Sequence, residues 1–483
     1  MAPQANFFEH IRQALLRDPD RVVVVWPASQ GKGLITVFHT GQDVLGQVQG
    51  IREALVRSGV RPAEPVLLAM PVGMDMVCSL LALMALGAVP VLPPAGTSPT
   101  GLVRLVRLLR RAGIGAVVTQ RVPGRAARCV GWLLGVRAVA IGQVTARPAS
   151  RPSEPVSAEQ PALISHSSGS TGAPKAIRRS HRVLLAQHRA IGAVFPPWAG
   201  QRDFPLFPNI LLHNLAAGVL SILPDVAWGS PAPPPAARLV QQLEREKVQT
   251  LTGNVWYFTA LVRQLRRHPV ALPAVVGIGV GGSPVPEPLV RELQRHFPRA
   301  AVHIIYGASE AEPIAVREAG ARPGNPLAGY CVGALHPALE CRIAPLGTLA
   351  RGPQAGQPVG EIEVRGAHVA AAPGQWLRTG DFGYLADGQL YLTGRRGNER
   401  LHQGVQHYQL EHLLYHLPGV ARVAARADAA GFTLFVQGTA TRGAIEELLA
   451  KNFPTCPRCT IAFRAHLPVD ARHHSKILYD QLR

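Results

Sequence analysis

Two hydrophobic rhythms alternate along the chain. Apolar positions at helical spacing over residues 7–16 predict an amphipathic helix, and the apolar runs at 21–26 and 34–39 predict strands. A second helix is predicted over 41–58 and a strand over 66–70. Residues 76–93 form an uncharged apolar run of almost membrane-spanning length. Gly87 and Pro90 divide it into a helix, 76–86, and a strand, 89–92, so a buried helix–strand unit is expected. Residues 102–112 set Arg104, Arg107, Arg110 and Arg111 at helical spacing among leucines and valines. This basic amphipathic helix reads first as a surface helix packed on a sheet, and second as a peripheral membrane contact. Strands at 116–119 and 138–141 continue an alternation that predicts parallel strands joined by crossover helices.

A Pro-, Ser- and Arg-rich stretch, 147–160, leads into a short strand at 161–164. Helices are predicted over 182–194 and 239–247, with strands at 250–252, 275–280 and 302–305. Three of these strands run into polar turns, beginning at Ser165, Gly281 and Tyr306. In an open α/β sheet such strand ends face one ligand crevice. From about residue 333 the texture changes, and 360–366, 376–381 and 390–395 read as antiparallel β elements. The polar residues 396–399 resemble a hinge. Beyond them come a helix (408–416), two strands (420–427, 432–437), a helix (442–453) and a strand (460–464). The expected class is α/β with α+β. A large N-terminal domain of parallel α/β layers, 1–395, carries a β subdomain at about 333–395, and a small mobile α+β lobe spans 396–483.

Composition narrows this picture. The chain has 483 residues, 47% hydrophobic, enough for a large core. Its formal net charge is +20, yet only five of the 50 basic residues are lysine: Lys32, Lys175, Lys247, Lys451 and Lys476. The arginines are spread along the whole length without a zinc-finger, RNP or basic-zipper pattern, so nucleic acid is not the expected partner. Cys456 and Cys459 form a lone C-x-x-C with no second pair or histidine cluster, so neither metal nor redox use is expected there. Six cysteines are too few for a disulfide scaffold and fit a reduced cytoplasmic setting. The charged residues Glu9, Arg12, Arg17 and Asp18 make the first 20 residues unlike a signal peptide.

The chemistry concentrates in the polar turns. Residues 165–175 are rich in hydroxyls and glycines and end in one cation. Gly169 and Gly172 let the backbone wrap a ligand, while Ser167, Ser168, Ser170 and Thr171 offer hydroxyl and N–H donors. Lys175 supplies a flexible point charge. The loop suits a polyphosphate but is not a Walker A loop, because the Gly-x-x-x-x-Gly-Lys pattern is absent.

Taken with Gly281, Gly282, the Tyr306–Glu310 turn, Gly360–Gly366, Thr379-Gly380-Asp381, Gly394-Arg395 and Lys476, the chain resembles the AMP-binding superfamily of adenylate-forming enzymes. Residues 65–94 resemble the early helix–strand unit of that family. The resemblance implies that a carboxylic acid, fatty or β-hydroxy acyl, attacks ATP to give acyl-AMP and pyrophosphate. It also implies the roles. Residues 167–175 hold the departing phosphates, Tyr306 stacks on adenine, Gly281 and Gly282 allow close backbone approach, and Gly307 is counted with the nucleotide-binding residues. Ser309 binds the α-phosphate, and Glu310 binds Mg2+. Asp381 accepts from the ribose and Arg395 assists there. Lys476 bridges carboxylate and α-phosphate. Catalysis is then expected from Lys476, Glu310 and Ser309, with ATP and Mg2+ as cofactors.

For the second step the resemblance implies rotation of the small lobe about residue 398, where this chain has Asn in place of the usual Asp or Lys. The tail from Leu467 to Lys476 departs from the common Pro-x-x-x-x-Gly-Lys form and is similar to that of olefin-pathway β-lactone synthetases. Pro205-Leu206-Phe207-Pro208 stands where many acyl-CoA synthetases carry a pocket histidine, and His213 is out of register with it. Three outcomes stay open: lactone closure, transfer to CoA or an acyl carrier protein bearing phosphopantetheine, and adenylate binding without catalysis.

Overall fold

The computed structural model describes residues 5–30, 33–93, 113–120, 135–142, 144–148, 151–168, 174–207, 209–228, 232–320, 325–350, 355–453, 458–470 and 474–482. The basic segment 102–112 lies outside them, as do Gly169, Ser170, Thr171, Gly172 and Cys456. The chain divides into two compact units, Met1–Pro235 and Ala236–Arg483.

In the first unit, α1 (Phe7–Leu16) starts at Asn6, whose side chain accepts from the Phe8 N–H at 3.1 Å. The same amide donates to the Met84 carbonyl at 2.8 Å, so one residue both caps the helix and ties it to the core. Strands β1 (Val22–Gln30) and β2 (Gly33–Thr40) form an antiparallel pair. Thr40 and Asp43 then make a capping box at the start of α2 (Gly41–Arg57). Gly50 lets α2 approach the neighbouring backbone, because a Cβ there would meet the Thr145 carbonyl oxygen at 2.2 Å. Strand β3 (Pro65–Leu68), helix α3 (Met74–Ala85) and β4 (Val89–Val91) absorb the long apolar run. Leu81, Leu83 and Met84 of α3 are fully buried, so this stretch is core, as its interrupting Gly and Pro imply. Among the described residues no helix is long and apolar enough to cross a membrane.

Strands β5 (Ala116–Thr119), β6 (Arg137–Ala140), β7 (Pro161–Ser168) and β8 (Pro174–Ser180) complete a six-stranded sheet of order β6-β5-β3-β4-β7-β8. It is parallel except for the β7–β8 hairpin. The sequence places a loop from Ser165 onward; instead β7 continues to Ser168 and pairs with β8, which sets Lys175 opposite Ser167. After α4 (His181–Val194) come β9 (Arg202–Pro205), α5 (Ile210–Ala217) and β10 (Leu220–Ile222), with β10 parallel to both β1 and β9.

In the second unit, α6 (Ala236–Arg245), β11 (Thr250–Asn254), α7 (Val255–Arg267), β12 (Gly277–Gly281), α8 (Glu287–His296) and β13 (Ala301–Ala308) make a parallel layer, β11-β12-β13. Strand β14 (Ala311–Glu318) folds back on β13. Antiparallel pairing continues through β15 (Tyr330–Leu335), β16 (Leu339–Thr348), β17 (Pro358–Gly366), β18 (Leu377–Ala386) and β19 (Gln389–Arg395) in the order β14-β15-β19-β18-β17-β16. Last come α9 (His407–Tyr415), β20 (Val420–Ala427), β21 (Gly431–Gly438), α10 (Arg442–Asn452) and β22 (Arg458–Phe463). The three strands form their own sheet over a core that includes Leu410, Val423, Phe432, Ile445 and Phe453.

The first unit buries histidines. His181 accepts from the Phe7 N–H through Nδ1 at 3.0 Å and is fully buried. Nδ1 of His188 meets Nδ1 of His213 at 2.9 Å. Burial lowers His181 to about 4, and burial with the neighbouring His188 lowers His213 to about 3. In the unfolded chain both titrate near 6.5. Between pH 6.5 and about 4 the unfolded state therefore binds more protons than the native state. The contribution of these two histidines to stability is fully present above pH 6.5 and is lost as the solution is acidified toward their native values. Proton uptake on unfolding, taken from urea midpoints between pH 7.5 and 4.5, should fall by about one in His213→Leu. Equal uptake in wild type and variant would refute this account of the acid sensitivity.

Candidate active site

The parallel strands of the second unit end in register, with Asn254 beside Gly281 and Gly281 beside Ile305. Their C-terminal ends carry the polar turns. Asn254 is buried and caps α7 by accepting from the Tyr257 N–H at 3.1 Å. Gly281 is dictated by its neighbour strand, since a Cβ there would lie 2.4 Å from the Ile305 carbonyl oxygen. Gly282 takes the left-handed conformation, φ +79°, that turns the chain away from the strand end.

Tyr306 and Gly307 lie at the end of β13, and Ser309 with Glu310 forms the two-residue turn into β14, closed by the Ala308–Ala311 pair. The turn is braced from 368–370. The Ala370 N–H donates to the Glu310 carbonyl at 2.6 Å, and His368 Nε2 contacts the Pro313 carbonyl at 2.9 Å. His368 is buried, and burial lowers its pKa. Among the described residues no side chain pairs with the Glu310 carboxylate. A partly exposed carboxylate on a braced turn fits a hard divalent cation such as Mg2+.

Asp381 and Arg395 are cross-strand partners of β18 and β19. The hairpin turns at Asp387-Gly388, both at positive φ, the Asp-Gly signature of a tight hairpin turn. Its register shifts by one residue at Thr393, and that shift sets Asp381 opposite Arg395. Arg395 donates to Asp381 Oδ1 at 2.5 Å, and the Tyr306 hydroxyl donates to Oδ2 at 2.9 Å. Thr379 accepts from the Asp381 N–H at 3.1 Å and donates to the Ile362 carbonyl at 2.9 Å. The Asp381 charge raises the Arg395 pKa against the opposing effect of burial. Burial first, then Asp381, pushes the Tyr306 hydroxyl well above its ordinary value.

The segment after Arg395 is fastened rather than loose. Arg396 pairs with Glu361, which Arg378 also contacts. Asn398 is buried and uses both amide atoms: Nδ2 donates to the Ala425 carbonyl and Oδ1 accepts from the Ala427 N–H, each at 2.8 Å. A carboxylate at this position could not donate to Ala425, which gives the neutral residue a physical reason. In the tail, the Lys476 N–H donates to Asp470 Oδ1 at 3.0 Å, and the Asp470 N–H donates to the Lys476 carbonyl at 2.9 Å. The His474 ring lies 4.4 Å from that of Trp256, in the first turn of α7.

The fold thus gathers Gly281, Gly282, Tyr306, Gly307, Ser309 and Glu310 at one sheet end, and the Tyr306 hydroxyl binds the Asp381–Arg395 pair to it. Lys175 is exposed at the start of β8 in the other unit, beside the backbone of Ser167 and Ser168. The sequence reading passed over Asn254, Trp256 and His368. Asn254 was detectable as an N-cap before an apolar helical run. Trp256 and His368 had no local signal, because their partners are far away in the chain.

The profile described as AMP-binding enzyme matches residues 11–372. The chain is similar to an olefin beta-lactone synthetase of Stenotrophomonas maltophilia, with 32% identity over 375 residues, 67% of this chain and 66% of that protein. It is also similar to an olefin beta-lactone synthetase of Xanthomonas campestris pv. campestris, with 30% identity over 50% of this chain and 48% of that protein. The chain therefore spans just under two thirds and about half the length of these relatives. In fold it is similar to the O-succinylbenzoate coenzyme A synthetase (MenE) of Bacillus subtilis in complex with ATP and magnesium ion. The TM-score is 0.76 at 19% identity, covering 98% of this chain and 99% of the other.

Gly281→Ala should force β12 and β13 apart and lower the unfolding free energy by about 1–3 kcal/mol in urea titrations. A loss below about 0.5 kcal/mol would show that the strands yield without cost.

Proposed function

The chain belongs to the AMP-binding enzyme family, and from that premise we propose that it is an ATP-dependent, AMP-forming ligase acting on a carboxylic acid. The observation that carries the reading is the Asp381 carboxylate held between Tyr306 and Arg395 at the end of the parallel strands. Such a group accepts from ribose hydroxyls, while the Tyr306 ring offers a face for a base. In the first step a substrate carboxylate oxygen bonds to the α-phosphorus of ATP. The bond from that phosphorus to the bridging oxygen breaks, and pyrophosphate leaves with the electron pair. No protein nucleophile is needed, so the work is alignment and charge neutralisation. Lys476 supplies one cation, Ser309 a hydroxyl donor, and the 167–175 loop with Lys175 the cradle for pyrophosphate. A magnesium ion on Glu310 would offset phosphate charge.

We assign the second step to lactone closure of a β-hydroxy acid, a reading supported by the tail sequence and by the names of the two relatives. The hydroxyl oxygen attacks the acyl carbon, AMP leaves, and the hydroxyl proton passes to solvent. Residues 396–483 act as the mobile lobe, turning about Asn398.

With ATP, Mg2+ and a 3-hydroxy fatty acid, the protein should release pyrophosphate and AMP and form product without CoA. Lys476→Ala should slow pyrophosphate release by about 100-fold or more. A strict need for CoA or a carrier thiol would overturn lactone closure. Absence of pyrophosphate release across a panel of acids would overturn the ligase reading.

A further inference from the structure

The tail that carries Lys476 is closed on itself, held to its own lobe and stacked through one ring on α7. Asp470 binds both the N–H and the carbonyl of Lys476, and its own carbonyl accepts from the His474 N–H at 3.0 Å. Val469 and Ile477 form an antiparallel bridge. The Arg422 guanidinium donates to the His474 carbonyl at 3.2 Å. His474 sits at φ +52°, a left-handed conformation in which histidine is enriched among non-glycine residues. With its main chain engaged on both sides, the His474 ring points outward onto Trp256, 4.4 Å between centroids and tilted by 36°.

The location of Trp256 gives this contact its meaning. It is the second residue of α7, directly after β11, whose last residue Asn254 lies beside Gly281. Tyr257 packs edge-on against it at 5.1 Å, and the Asn254 cap fixes the helix start. The ring that receives His474 therefore stands at the strand ends that carry Gly281, Tyr306 and Glu310. Lysine is a long side chain with much rotamer freedom, so its aim depends on how firmly its backbone is held.

We propose that His474 is a positioning residue: its stacking on Trp256 seats the tail at the C-terminal ends of the parallel strands and so aims Lys476 at the reacting phosphate. This rests on the role given to Lys476 above. It also gives the unusual tail a task, since a glycine or serine in place of His474 has no ring to dock. If the lobe rotates for the second step, this contact is among those that must part, with those of Gln409 and His412 to the backbone of 326–327.

The test uses the full-length protein with ATP, Mg2+ and a 3-hydroxy fatty acid, and reads pyrophosphate release beside hydrogen–deuterium exchange of residues 469–478 without ligands. His474→Gly removes the ring while keeping the backbone conformation easy to adopt. His474→Gly and Trp256→Ala should each lower kcat about tenfold with the KM for ATP unchanged. The double variant should be no slower than either single variant, and both singles should exchange faster over 469–478. His474→Phe and Trp256→Phe keep an aromatic pair and should restore most of the rate. Losses that multiply in the double variant, or a wild-type rate in His474→Gly, would overturn the proposal. If the wild type releases no pyrophosphate with any acid, the ligase reading fails on its own. Exchange then decides the docking, and equal exchange in wild type and both variants would overturn it.

Discussion

The Asp381 carboxylate is the point at which two other strands of the second unit meet its own. Tyr306 reaches it from the end of a parallel strand, Arg395 from the opposite strand of a hairpin, and Thr379 holds its backbone. A buried carboxylate is costly unless its oxygens find donors. Here each oxygen has one, and both donors come from motifs expected to contact a nucleotide. The same pairs hold Tyr306, Asp381 and Arg395 together at the strand end. Losing either donor would leave a desolvated charge, so the site and the fold are hard to change separately.

From Arg395 onward the chain repeats this device. Arg395 holds Asp381, Arg396 holds the buried Glu361, and Asn398 completes a backbone pair with β20. A polar segment that looks like a hinge in sequence is thus held by two ion pairs and one amide–backbone pair. The arginine excess has a related use. Carboxylates such as Glu9, Glu154, Glu159, Glu287, Glu292 and Glu340 each pair with an arginine, whose planar fork suits bidentate contacts. Arg342 and Arg365 also flank the Trp376 ring at 4.5 and 4.6 Å. Glu310 is one of the carboxylates with no such partner among the described residues.

Much of the fold was legible in sequence because its signals are local. The helix over 7–16 and the strands at 116–119 and 420–427 follow the expected bounds, since periodicity and capping are set within a few residues. The helices at 210–217, 255–267 and 287–296 were missed, as was the strand at 174–180. The last is polar and Arg-rich, and it is a strand because β7 pairs with it, which no local preference reveals. The turns carrying Gly281, Tyr306 and Glu310 were found because glycines and polar residues at strand ends are visible in one dimension.

By itself, then, the sequence determined the strand–helix alternation in outline, the parallel layer and which residue types stand at the strand ends. Each follows from local periodicity or from side-chain chemistry. Tertiary structure alone decided which of them touch. The one-residue shift at Thr393 sets Asp381 against Arg395, and a slip of one residue would have turned every side chain of the strand to the other face. The amide of Asn398 found its two backbone partners, and His474 found Trp256, across separations that no periodicity spans. Pairing between residues far apart depends on register and on how elements pack, and only the folded chain fixes those.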